Sequence, residues 1–374
     1  MIYTPRPREG VALYIHIPFC NTLCPYCHFF RVPLGPGEEE PFLEAVLREA
    51  ASLKGVAPGP VRTVYIGGGT PSLLPPSFYT RLFEAMDSVL PLDRTVEMSL
   101  EADAGVSDEE LAQLAEAGFD RVSIGVKSFQ ESGVRMLGAG QWDGDRTLVV
   151  SRARKAGFPS VGIDLIYGFE GQGIDDFRTD LKTALAVGPD HISLYALEAN
   201  DDKGPREVDG DLAAAMFRMA RRMLPAGGYG QYEICNFALP GHECLHNINY
   251  WCDGDYFGLG PSAHGSLTVK GTRERFSNRP DLAGYLAHPE DVRETLSGDG
   301  KEDRAREALI LRLRLAQGVE VNAFTMRYGV DPLKILGPAL DEFRRMGLIR
   351  TTPGRIRLTT RGMLLSNEIF TRVI

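Results

Sequence analysis

The sequence predicts an α/β protein: six parallel strands curled into an open, TIM-like partial (β/α)6 barrel, followed by a small winged-helix-like α+β unit. Three observations lead there. Short apolar, β-branched runs alternate with helix-period segments six times in the first part of the chain. A dense cysteine loop follows the first run and a Gly-Gly-Gly-Thr turn follows the second, and parallel sheets carry their chemistry at the carboxyl ends of their strands. From Asp303 onward the pattern changes to helices around one short hairpin. A doubly wound sheet would accommodate the same two motifs, but right-handed crossovers between six sequential units favour the barrel.

Taken in order, the first 11 residues are rich in Pro and Arg and read as extended. Val11 to Ile17 reads as a buried strand. Pro33 to Gly37 then leads into a helix patterned on Phe42, Ala45, Val46, Ala50 and Leu53. Further strands are expected at Val61 to Ile66, Val96 to Leu100, Arg121 to Val126, Val161 to Ile166 and His191 to Ala196. Helices are expected at Pro76 to Leu90, Asp108 to Ala117, Asp145 to Ala156, Asp175 to Ala186 and Leu212 to Leu224, with Ser107 and Glu110 forming a capping box. Residues 1–230 thus form the core, 231–302 a connecting region and 303–374 the C-terminal unit. In that unit, helices are expected at Arg304 to Ala316, Pro332 to Met346 and Thr360 to Ile374, and strands at Leu348 to Thr352 and Ile356 to Thr359 around Pro353-Gly354.

Composition narrows the functions available. A 374-residue chain that is 43% apolar can bury a large core. A formal net charge of −9 argues against nucleic acid as the partner. No run reaches the ~18 apolar residues of a membrane span, and Met-Ile-Tyr-Thr-Pro-Arg-Pro-Arg lacks a signal peptide's apolar core, so a cytoplasmic location is expected. Six cysteines, three of them in one loop, do not make a disulfide framework.

That loop, Cys20-x3-Cys24-x2-Cys27, reads as a metal site. Three thiolates can hold three corners of a four-iron cluster and leave the fourth iron open to a ligand. A zinc knuckle completed by His28 is the alternative, but His28 directly follows Cys27 and would have to fold back on its neighbour. The frame Tyr14-Ile-His-Ile-Pro-Phe-Cys20 with Cys24-Pro-Tyr26-Cys27 resembles the radical S-adenosylmethionine (SAM) superfamily, in the branch of oxygen-independent coproporphyrinogen III oxidase and the heme chaperone HemW. The resemblance implies a [4Fe-4S] cluster on Cys20, Cys24 and Cys27, with SAM chelating its open iron through the methionyl amino and carboxylate groups. It also implies an electron donor such as flavodoxin or ferredoxin.

Carried over residue by residue, the resemblance places SAM beside Tyr14, Tyr26, Gly68, Gly69, Thr70, Glu101 and Asp164. The glycines would leave backbone N–H and C=O groups free for it. The alternative for Glu101 and Asp164 is helix capping. The chain departs from the family pattern at Lys127, where relatives have Gln, and at Ala139, where they have Arg. Lys127 is expected to supply the missing cation, without the planar fork of a guanidinium.

Farther on, His246-Asn-x-x-Tyr250-Trp251 matches a signature associated with HemW, and makes His246 a heme candidate. The competing reading is a packing box with His246 hydrogen-bonded inside it. Cys235, Cys244 and Cys252 are either buried free thiols or ligands of a second cluster, and His242 and His264 remain open. Three activities fit the resemblance. The first is heme binding and transfer to an acceptor protein. The second is radical SAM methyl transfer or cyclopropanation on a small-molecule acceptor. The third, coproporphyrinogen oxidation in porphyrin biosynthesis, is disfavoured because Phe29 replaces that branch's fourth cysteine and only 13 residues precede Tyr14.

Overall fold

The computed structural model describes residues 10–55, 59–138, 142–198, 204–269 and 271–374. The expected extended start lies almost wholly outside these, and Ala139 lies outside them too. Strands β1 (Val11–Ile17), β2 (Val61–Gly68), β3 (Leu92–Asp103), β4 (Arg121–Lys127), β5 (Ser160–Tyr167) and β6 (His191–Ala196) lie side by side in chain order, and each pairs in parallel with the next. A doubly wound sheet would reverse that order. Unbroken order with one-handed crossovers puts the helices on one face and bends the sheet around the other.

The crossovers carry α1 (Glu39–Ser52), α2 (Pro76–Asp87), α3 (Asp108–Glu116), α4 (Glu131–Met136), α5 (Val149–Lys155) and α6 (Ile174–Val187), and α7 (Gly210–Met223) follows β6. Ser107 and Glu110 form the expected capping box on α3, each side chain bonded to the other's backbone N–H. The helices bury Phe42, Val46, Phe78 and Leu82 against Leu13, Ile15, Val64 and Ile66. At roughly 1.5–3 kcal/mol per fully buried large side chain, this outer layer is the main source of stability. The residues that alternate with these strand positions are polar: Thr63, Tyr65, Glu97, Glu101, Arg121, Ser123, Asp164 and His191. A concave face that polar is built for ligands.

The region expected to connect two units supplies both margins of the same sheet. On one side β7 (Asn236–Ala238) runs antiparallel to β6, with Gly230–Gln231 beyond it. After α8 (Leu245–Trp251), β8 (Tyr256–Leu259) pairs in parallel with β1, and β9 (His264–Val269), β10 (Thr272–Asn278) and β11 (Arg293–Asp299) continue outward antiparallel, with α9 (Leu282–Ala287) between the last two.

The C-terminal unit contains α10 (Lys301–Leu313), β12 (Val319–Glu320), α11 (Val321–Tyr328), α12 (Pro332–Leu336), α13 (Ala339–Arg345), β13 (Ile349–Thr352), β14 (Arg355–Leu358), α14 (Thr360–Leu364) and α15 (Ser366–Phe370). Its three strands order as β12-β14-β13, the hairpin of a winged-helix-like unit with one added strand. Two helices expected to be continuous are divided. Gly337, at φ 50°, and Pro338 separate α12 from α13, since proline cannot continue a ladder that needs its N–H. Leu365, at φ −113° and ψ 30°, separates α14 from α15.

One buried carboxylate ties this unit to the core. Asp253 follows α8, is 2% exposed and has a left-handed backbone at φ 53°. It pairs with Arg273 of β10 at 3.2 Å, Arg304 of α10 at 3.2 Å and Arg327 of α11 at 3.8 Å, and accepts from the Tyr328 hydroxyl at 3.0 Å. Among the described residues, no helix is long and apolar enough to cross a membrane.

Candidate functional site: a cysteine loop over a polar well

The cysteine loop leaves the carboxyl end of β1 and closes over the barrel mouth. Arg31 fixes its shape: the guanidinium donates to the carbonyls of Cys24 at 2.6 Å, Cys27 at 2.7 Å and Phe29 at 3.0 Å. Cys20 is buried, whereas Cys24 and Cys27 are half-buried. The Thr70 hydroxyl donates to Cys20 Sγ at 3.6 Å. Burial above all, then the neighbouring Cys27 and Cys24 sulfurs, pushes the Cys20 thiol up, against the pull of Thr70 and Arg31. The three sulfurs therefore share one electrostatic environment.

They do not converge on a point. Among the described residues, the one group of three metal-capable side chains whose ligand atoms all lie within 4.8 Å of one another is His288, Glu290 and Asp291, on the surface. A zinc ion with ~2.3 Å bonds to sulfur would hold its thiolates within about 4 Å of each other. The three loop sulfurs are not drawn that close together, and the Arg31 cation stands beside them.

The Gly-rich turn lies directly under the loop. Gly68, at φ 111°, faces the His16 ring, and a Cβ there would stand 2.5 Å from it. A Cβ on Gly69 would stand 2.5 Å from the Phe19 carbonyl oxygen and 3.0 Å from Cys20 Sγ. Only glycine lets turn and loop approach this closely. The N–H groups expected to be free are engaged: Gly68 donates to Glu101 at 3.1 Å, Gly69 to the Ile17 carbonyl at 2.7 Å and Thr70 to the Phe19 carbonyl at 2.7 Å. What the turn can offer a ligand is carbonyl oxygen, which suits an ammonium group.

Below lies the well. Glu101 also accepts from the Tyr65 hydroxyl at 2.8 Å, and Asp164 from the Ser123 hydroxyl at 2.9 Å. Both acids lie within strands, so the helix-capping alternative is overturned. Burial, then the charge of Asp164, pushes the Glu101 carboxyl up, opposed by Tyr65, Gly68 and Lys127. Tyr195 is 44% exposed because it lines the open interior, where Asp164 and Glu101 face it. Tyr14 donates to His16 Nδ1 at 2.9 Å, while His16 Nε2 donates to the Phe30 carbonyl at 2.8 Å. Tyr26 packs on Leu137, Ile166, Phe169 and Leu197, anchoring the loop to the far rim.

Lys127 stands out for its backbone. It has φ 67° at a break in register between β4 and β5, and its ammonium folds back over Gly125, where a Cβ would sit 2.5 Å from Nζ. Left-handed backbone at a residue with a Cβ costs roughly 1–3 kcal/mol and persists where the surroundings impose it. The sequence gives no sign of that strain. Its effect is to hold a cation beside Glu101.

His246 lies at the opposite end of the barrel. It is 1% exposed, with Nδ1 at 2.9 Å from the Thr63 hydroxyl and Nε2 at 2.8 Å from that of Tyr250, and its ring stacks on Tyr65. The N–H groups of Leu245 and His246 donate to the half-buried Glu97 carboxylate at 3.1 Å each. The negative charge caps the start of α8 and draws it into the barrel floor. In this arrangement neither ring nitrogen is presented to heme; the geometry is that of the packing box. Burial pushes the His246 imidazole down to about 3. Its ordinary value is 6.5, so below that pH the unfolded chain takes up a proton that the folded chain refuses. Stability contributed here is therefore lost as pH falls from 6.5 towards about 3, by up to ~1.4 kcal/mol per unit. His246→Gln is expected to cost about 1–3 kcal/mol at neutral pH, and the gap to the parent should narrow on acidification. Urea unfolding at stepped pH checks this; a constant gap would contradict it.

Among the described residues, Cys235, Cys244 and Cys252 do not gather their sulfurs within 4.8 Å of one another. Burial pushes the Cys235 and Cys244 thiols up to about 12, and Cys244 Sγ lies 3.8 Å from the Glu97 carboxylate. Cys252 packs with Ile248 and Leu315. His242 bonds the Ser160 hydroxyl at 3.1 Å, and His264 is exposed on β9.

Comparison with known proteins matches this layout. Residues 14–184 match the Radical SAM superfamily and residues 300–365 the HemN C-terminal domain. The chain is 32% identical to the heme chaperone HemW of Lactococcus lactis over 97% of both chains, and 32% identical to the heme chaperone HemW of Escherichia coli over 96% of this chain and 97% of that one. In fold it is similar to the solved structure of coproporphyrinogen III oxidase (HemN) from Escherichia coli, with a TM-score of 0.79, 23% identity and coverage of 98% and 91%.

Proposed function

The chain belongs to the heme chaperone HemW family within the radical SAM superfamily, and on that footing we propose that it binds heme and passes it to an acceptor protein. The observation that carries the reading is likeness at 32% identity running through 97% of both chains, the α8 floor and the C-terminal unit included. Phe29, 61% exposed where the oxidase branch has a thiol, counts in the same direction.

The family implies a [4Fe-4S] cluster and SAM. We assign the cluster to Cys20, Cys24 and Cys27, and SAM to the well beneath. There the turn carbonyls near Gly68 and Gly69 take its ammonium, Lys127 its carboxylate, and Glu101, Asp164, Tyr14 and Tyr26 border it. When bound, the cluster supplies an electron at an open iron. The protein's own residues hold the thiolates apart, neutralise charge through Arg31 and Lys127, and shield the site from water. Six cysteines, three of them in one loop, suit a reducing compartment, and we place the protein in the cytoplasm.

Anaerobic titration of the cluster-reconstituted protein with heme tests the reading. Saturable binding with a Soret band distinct from free heme is expected, followed by loss of that band to an apo-hemoprotein acceptor. Heme that keeps its unbound spectrum throughout would overturn the proposal.

A further inference from the structure

With His246 sealed in the floor, the heme reading lacks an iron ligand, and the seven histidines can be sorted by what each presents. His16 and His191 are 2% exposed and hydrogen-bonded inside the barrel. His242 is half-buried against Ser160. Three remain on the surface: His28, His264 and His288. His288 stands in an acidic group with Glu290 and Asp291, a poor seat for a flat apolar molecule carrying two carboxylates. His264 has polar cross-strand neighbours, Ser277 and beyond it Glu294.

His28 differs from both. It lies next to Phe29, 61% exposed, on the loop that also carries Leu23, 48% exposed. Its one hydrogen bond among the described residues is long and exposed, Nε2 to the Glu198 carbonyl at 3.3 Å. A carbonyl only accepts, so Nε2 carries the proton in that contact and Nδ1 keeps its lone pair. Donation from the other ring nitrogen to a carbonyl is the usual support of a metal-bound imidazole. Arg31 clamps the backbone on both sides, through the Cys27 and Phe29 carbonyls, so the loop is ordered before a ligand arrives. A macrocycle on this surface would cover exposed apolar area that otherwise meets water.

We propose that His28 is the axial ligand of the heme, which lies on the outer face of the cysteine loop against Phe29 and Leu23. This rests on the heme-binding reading and names its site. One loop then holds, at consecutive positions, the last cluster thiolate of Cys27 and the imidazole of His28.

The test is an anaerobic heme titration of cluster-reconstituted parent, His28→Ala and His246→Ala, with iron content measured alongside. His28→Ala should retain its cluster iron, weaken heme binding by about tenfold or more, shift the Soret band, and regain the parental spectrum when imidazole is added. Parental affinity and spectrum in His28→Ala, or loss of the axial signature in His246→Ala instead, would overturn the assignment and leave the heme reading standing. If the parent binds no heme, both fall. Should His28→Ala lose iron, Phe29→Ser takes its place. It leaves the loop's backbone bonds in position and should weaken binding several-fold, and unchanged affinity would overturn the site.

Discussion

Alanine at Cys20, Cys24 or Cys27, one at a time, is expected to leave the reconstituted protein without its cluster. Iron should fall from about four per chain to background, with the visible charge-transfer absorbance gone. The reason is geometric. Three protein thiolates for four corners leave none to spare, and burial pushes the Cys235 and Cys244 thiols up to about 12. For Cys24 and Cys27 fold is not the cause of the loss, because both are only half-buried and Arg31 holds the loop through backbone carbonyls; buried Cys20 loses only one sulfur atom from its packing. Iron and sulfide assays after anaerobic reconstitution, with circular dichroism as the control, decide it. A variant that keeps full iron would remove that cysteine from the ligand set.

Asp253→Ala is expected to cost about 3–5 kcal/mol, the scale set by removing one partner of a buried ion pair. The loss is large because three guanidiniums and a phenol converge on this carboxylate. Arg273 retains Asp255 as a second partner, but among the described residues no other carboxylate is paired with Arg304 or Arg327. The left-handed backbone adds to the cost, since alanine is strained there and asparagine is not. Asp253→Asn should therefore fall between parent and alanine. Denaturant midpoints measure the series, and protease sensitivity near Gly300 should rise in the same order as the C-terminal unit loosens. A loss below about 1 kcal/mol for alanine would mean that the arginines find other partners.

The parts of this molecule legible from sequence are those set by local physics. The six barrel strands are compact apolar runs, and the cysteine spacing, the glycine turn and the Ser107 capping box each involve residues a few positions apart. The sheet margins were not legible. Strand β10 reads Thr-Arg-Glu-Arg-Phe-Ser-Asn, and β8 is four residues long; both become strands because a neighbour distant in sequence offers an edge. The break at Gly337-Pro338 was legible in principle, since proline marks it, but apolar periodicity on both sides bridges it. For His246, the motif left a heme ligand and a hydrogen-bonded packing box both open, and the choice depended on Glu97, Thr63 and Tyr65, which only the fold brings near. Lys127 could be flagged as an unexpected cation; its backbone strain could not.

The floor that α8 builds has a consequence for the order of events. Thr63, Arg121 and His191 lie towards the amino ends of their strands, Glu97 pairs level with Thr63, and residues from Tyr232 to Tyr250 bond to every one of them. The barrel is thus a cup rather than a tube. Two guests in a cup follow a last-in, first-out rule: whatever rests at the bottom must arrive before, and leave after, whatever lies across the rim. With SAM in the well and heme on the outer face of the cysteine loop that closes over it, pulse-chase exchange of labelled SAM should stall while heme is bound and resume when an acceptor removes it.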